Sequence, residues 1–101
     1  MYDSKVKSDE TDELFDAIMS LENKEEFYRF FDDLCTFGEI KAMAQRFRVA
    51  KLLKEGKTFA GISEEVGASS ATITRVNKCI TYGSDGYKIA LERIKNSAAE
   101  K

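Results

Sequence analysis

The stretch Thr58-Phe-Ala-Gly-Ile-Ser-Glu-Glu-Val-Gly-Ala-Ser-Ser-Ala-Thr-Ile-Thr-Arg-Val-Asn77 reads as two short helices joined by a tight turn. Ile62 and Val66 lie one helical turn apart on the first helix. Gly67 supplies the positive φ needed to leave that helix and reverse direction. After the turn, Ile73, Val76 and Ile80 recur at helical spacing on a second helix. Small side chains at Ser63 and Ala68 allow the two helices to cross closely. The combination predicts a helix-turn-helix over about residues 58–80.

The second helix opens on Ser69-Ser70-Ala71-Thr72-Ile73-Thr74, which is poor in helix formers and rich in short hydroxyl side chains. Ser69 or Ser70 is expected to cap the helix, with Ser70 and Thr72 facing outward and Ile73 turned inward. Short polar groups let a helix N-terminus settle against phosphates. Arg75 and Lys78 follow within reach of a DNA backbone or a base edge, since arginine bonds bidentately to guanine O6 and N7. Ser69, Ser70, Thr72 and Thr74 are therefore candidates for groove contact, and Arg75 and Lys78 for bases or phosphates. An ordinary helical hairpin with a Ser/Thr cap would share part of this pattern.

Moving outward, the chain reads as six helices without strands or internal repeats. Residues 1–8 form a polar arm expected to be mobile. Asp9 to Ser20 is helical, with Leu14, Phe15, Ile18 and Met19 on one stripe. Asn23 caps the helix Lys24 to Cys35, whose Phe27, Phe30, Phe31 and Leu34 make an apolar face. Gly38 loosens the junction with a long third helix, which carries Ile40, Met43, Phe47, Ala50 and Leu53 and runs to about Glu55. Gly56 ends it in a left-handed cap, and Thr58 opens the motif. Gly83-Ser84-Asp85-Gly86 breaks the chain again, with Ser84 or Asp85 capping a last helix through Tyr87, Ile89, Ala90, Leu91 and Ile94. Residues 9–96 are read as a single domain, and 97–101 as a frayed tail.

Composition narrows the function classes. The 101 residues contain no proline and no histidine, and 43% are hydrophobic. This is a globular composition that allows one domain and uninterrupted helices. Without histidine, a His-based triad or a zinc–histidine site is impossible. The carboxylates in Asp32-Asp33 and Glu64-Glu65 are adjacent in sequence, so they diverge on a helix and suit solvent better than general acid/base work. No apolar run approaches a membrane span or a secretory signal. Cys35 and Cys79 lack metal-ligand spacing and are expected to be buried, reduced thiols in a cytoplasmic protein. The reading is of a protein that is not an enzyme and needs no metal or cofactor.

The net charge of −2 hides a segregation. Residues 1–35 carry four Lys/Arg against eleven Asp/Glu, a net −7, whereas residues 36–101 carry twelve against seven, a net +5. Local charge governs nucleic-acid contact more than the total does. Arg48, Lys51, Lys54 and Lys57 lead into the motif and are candidates for the phosphate backbone. A solvated helix face is the plainer reading of such a stretch.

Two stretches carry a resemblance. Ala42-Met-Ala-Gln-Arg46-Phe-Arg48-Val-Ala-Lys-Leu-Leu53 and Gly67-Ala-Ser-Ser-Ala-Thr-Ile-Thr-Arg75 resemble the tryptophan repressor superfamily. Within it, Ala71-Thr-Ile-Thr-Arg75-Val-Asn-Lys-Cys79 and Tyr82-Gly-Ser-Asp-Gly-Tyr87 are similar to the YerC/YecD branch of Trp-repressor-like proteins. The resemblance covers roughly Glu13 to Ile94. It implies an all-α, six-helix fold and an intertwined homodimer presenting two helix-turn-helix units to successive major grooves. It also implies a possible effector pocket at Arg46, Arg75, Val76 and Cys79, where the tryptophan repressor holds its corepressor between two arginines. Arg46 and Arg75 retain that pair. Val76 stands where the repressor has glycine and Cys79 where it has serine, so a β-branched side chain fills space the indole needs. Tryptophan is therefore not expected as corepressor, and the arginines hold phosphates or pair with carboxylates instead.

Seven phenylalanines and four tyrosines, most of them before Arg48, also favour a core shared between two chains. The sequence thus points to a cytoplasmic, dimeric transcriptional regulator, a repressor by resemblance, that binds palindromic double-stranded DNA. The alternative is a helix-turn-helix used for protein interaction or assembly, with the acidic first helices as its docking surface. The operator, the regulated genes, any small-molecule effector and the sign of regulation are not encoded in these patterns.

Overall fold

Local hydrogen bonds at helix ends set most of the architecture. The computed structural model describes residues 2–99 and contains, among them, six helices and no strands. These are α1 (Asp9–Met19), α2 (Lys24–Leu34), α3 (Phe37–Lys54), α4 (Phe59–Val66), α5 (Ser70–Tyr82) and α6 (Gly86–Ala99). The chain divides into two compact units, Met1–Phe37 and Gly38–Lys101.

In the first unit, Ser8 caps α1 by accepting the Thr11 N–H at 3.1 Å, and Thr11 Oγ1 donates to the Val6 carbonyl at 2.8 Å. Lys7 pairs with Asp12 at 2.8 Å, so the arm's last residues are tied to the helix they precede. Asp9, Glu10 and Asp12 sit in the first turn, where the helix dipole favours negative charge. Asn23 caps α2 by accepting from Glu26 N–H, and the Glu26 carboxylate reaches back to the Glu22 N–H at 2.8 Å. This is a near-reciprocal capping arrangement. Neither helix buries a residue. Leu14, Ile18, Phe30 and Phe31 are half-buried, while Phe15, Met19, Phe27 and Leu34 are exposed. The stripes expected from periodicity are present, but half of each faces solvent.

The second unit holds the core. Val49, Ala50 and Leu52 of α3, Ile62 of α4, Ala68 of the turn, and Ile73 and Val76 of α5 are buried together. Leu53, Val66, Ile80, Tyr87 and Leu91 pack around them. Burying each of the larger aliphatic side chains contributes about 1.5–3 kcal/mol. Gly38 lies in the first turn of α3, which begins one residue earlier, at the boundary between the two units. Gly56, at φ +86°, ends α3 with its N–H on the Leu53 carbonyl, and Lys57 N–H reaches Leu52. The last helix begins after Asp85, whose carbonyl accepts from Ile89 N–H at 2.9 Å and whose carboxylate lies 3.7 Å from Lys88. Asp85 itself takes φ +66°. The helix continues to Ala99. Residues 1, 100 and 101, expected in the arm and tail, lie outside the described residues.

Candidate nucleic-acid interface

The helix-turn-helix is built by three local devices. Thr58 caps α4 by accepting the Gly61 N–H at 3.0 Å. Gly67 closes it in the left-handed region at φ +77°, with its N–H on the Ser63 carbonyl at 2.8 Å. Ser63 then bridges the turn, its hydroxyl donating to the Ala68 carbonyl at 2.9 Å. Ala68 is 2% exposed, wedged where α4 meets α5, and Ile62 and Ile73 are fully buried beside it. A larger side chain at position 68 would force the helices apart.

Ser69 is the cap of α5. Its oxygen accepts the Thr72 N–H at 3.1 Å, and its hydroxyl donates to Thr72 Oγ1 at 3.0 Å. Thr72 is half-buried, and its hydroxyl is engaged with the cap. The outward orientation expected for Thr72 is thus corrected: it lies one turn before buried Val76, on the flank of the inward face. Ser70, Thr74, Arg75 and Lys78 are exposed. So is Ala71, which sequence reasoning passed over because alanine carries no polar group.

Arg48, Lys51 and Lys54 are exposed on α3, and Lys57 is exposed in the link to α4. Among the described residues none of these four, nor Arg75 or Lys78, enters an ion pair, whereas Lys7, Arg29 and Lys88 each do. Six cations on and beside the motif therefore keep their full field for an incoming polyanion.

The four effector-pocket candidates take different positions. A groove of about 480 Å³ is lined by Phe47, Cys79, Gly83, Ser84, Gly86, Tyr87 and Ala90. Phe47 and Tyr87 form its aromatic wall, with ring centroids 6.4 Å apart. Of the four pocket candidates only Cys79 lines this groove. Arg46 is half-buried, Arg75 is exposed, and Val76 is 1% exposed within the core. The thiols also depart from expectation: Cys35 is half-buried and Cys79 exposed, because the apolar positions of α5 at 73, 76 and 80 take the inward face and leave 79 at its edge.

Residues 9–95 match the sequence profile of the Trp repressor protein family. The chain belongs to that family. Its members are regulatory DNA-binding proteins, not enzymes. Among its relatives, YerC of Bacillus subtilis (strain 168) is 52% identical over 96 residues, covering 95% of this chain and 92% of YerC. The fold matches a candidate Trp repressor from Staphylococcus aureus with a TM-score of 0.86 at 52% identity, covering 90% of this chain and 91% of that one. It also matches a TrpR-like protein from Eubacterium eligens ATCC 27750 with a TM-score of 0.87 at 48% identity, covering 90% and 94%. Among the described residues, no helix of this Trp repressor family member is long and apolar enough to cross a membrane.

Proposed function

We propose that this chain is a cytoplasmic, dimeric transcription factor, a repressor, that reads a palindromic operator through α5. The observation carrying the reading is the exposed face of α5, with Arg75 and Lys78 in no ion pair among the described residues, seated by Ile62, Ala68, Ile73 and Val76 in the same compact unit as the exposed cations of α3. Backbone contact falls to Arg48, Lys51, Lys54 and Lys57, and groove contact to Ser70, Thr74 and Arg75. Ser69 and Thr72 support the helix end that meets the phosphates. A second copy accounts for the first unit: α1 and α2 bury no side chain alone and expose Phe15, Met19, Phe27 and Leu34. Two reading heads set about 34 Å apart would engage half-sites one helical turn apart.

Selection from a random duplex pool tests the reading, with sedimentation to measure the oligomer. An enriched inverted repeat, bound by a dimer with an affinity that falls steeply with salt, is the expected result. Failure to enrich any site, with only weak salt-labile binding, would favour the interaction module instead.

A further inference from the structure

The inward face of α5 is marked by Ile73 and Val76, both buried, and by half-buried Ile80. Opposite it stand Ala71, Thr74, Arg75 and Lys78, spaced i, i+3, i+4 and i+7 and all exposed. Ala71 ends in a methyl group, Thr74 in a methyl and a hydroxyl, and the other two in cations. Asn77, also exposed, is one turn from buried Ile73 and so lies at the flank of this face.

Each base has its own reading chemistry in the major groove. Adenine is read by an amide and cytosine by a carboxylate, whereas guanine takes arginine or lysine. Thymine is recognised by apolar contact with its C5-methyl group, from alanine or the methyl of threonine. The centre of the α5 face carries neither an amide nor a carboxylate. The Ser69 proton is given to Thr72 Oγ1, which removes one further donor from the helix end that enters the groove first.

We infer that Ala71 and the γ-methyl of Thr74 read thymine C5-methyl groups, and that these methyl contacts, with Arg75 on guanine, set the specificity of the half-site. The inference rests on the DNA-reading function proposed above and deepens it. An alanine at position 71 lets the helix backbone approach the base edges closely enough for a methyl to touch a methyl. A longer side chain there would hold the helix away. Thr74, one turn further on, reaches the next steps of the same strand.

The test removes the methyl from either side of the contact. Sites are selected from a random duplex pool containing thymine and from a matched pool containing deoxyuridine, and selected duplexes are then titrated with wild-type protein, Thr74→Ser and Ala71→Gly. Replacing one contacted thymine by deoxyuridine is expected to weaken wild-type binding about fourfold, the value of one buried carbon. Thr74→Ser, which keeps the hydroxyl, should lose its sensitivity at one such step and retain it at the other, and Ala71→Gly should show the reverse. Equal wild-type affinity for thymine and deoxyuridine duplexes would overturn the inference. So would a thymine preference that survives unchanged in Thr74→Ser. No enrichment from either pool would remove the DNA-reading function itself, and that result is distinct because it leaves no site to substitute.

Discussion

Replacing Ser69 by alanine separates a structural cap from a DNA contact. The Ser69 oxygen accepts the Thr72 N–H at 3.1 Å, satisfying one of the open donors at the start of α5, and its own proton goes to Thr72 Oγ1. Losing an N-cap serine to alanine costs about 1 kcal/mol. The second bond is exposed and adds little, so the total expected is about 1–1.5 kcal/mol. In a domain of this size that lowers the melting temperature by about 4–12 °C. Ser69→Asp keeps an acceptor at the cap and adds a charge the dipole favours, so stability should match or exceed wild type. The same charge would face a phosphate, so DNA affinity should fall. Ser70→Ala is the control. Ser70 is exposed and already inside the helix, where alanine is the better former by a few tenths of a kcal/mol, about 0.4. Its melting temperature should hold or rise. Thermal and urea unfolding followed by circular dichroism measure all three variants. An unchanged midpoint in Ser69→Ala, or a loss in Ser69→Asp equal to that of alanine, would refute the assignment of Ser69 as the cap.

Three further outcomes are expected. Gly67→Ala places a Cβ in open space but at φ +77°, so only backbone strain opposes it. A penalty of about 1–2 kcal/mol, partly offset by a stiffer unfolded chain, leaves a net destabilisation measurable by urea unfolding. Val76→Ala should cost about 1–3 kcal/mol because the residue is core, and L-tryptophan should shift the melting temperature of neither this variant nor wild type. Lys54→Ala should leave the melting temperature unchanged, weaken DNA binding uniformly across sequences, and reduce the salt slope by about one.

Much of this molecule is readable from short windows because its helix ends are local events. Asn23, Thr58 and Ser69 each bond an N–H three residues on, and Gly56 and Gly67 end helices through their own φ. All these partners lie within one helical turn, so spacing in the chain is spacing in space. The same holds for Ile62, Ile73 and Val76, whose periodicity marks the inward face before any partner is known. Sequence therefore determines the six helices, the helix-turn-helix and the segregation of charge.

Tertiary structure decided what those helices do with their side chains. Periodicity identified apolar stripes on α1 and α2 but could not say how far they would be covered, because burial depends on surfaces remote in the chain. Thr72 and Ser70 look alike in sequence, yet once Val76 is buried the residue one turn before it is half-covered and Ser70 is left exposed. Cys79 looked like a small core residue until Val76 and Ile80 took the inward face and left its thiol at the rim of a groove. Ala71 carried no signal at all, since nothing in an alanine says whether its methyl group will be buried or presented outward beside exposed cations. Sequence fixes which bonds the backbone can make with its near neighbours, whereas exposure is settled only when distant elements compete for the same interior.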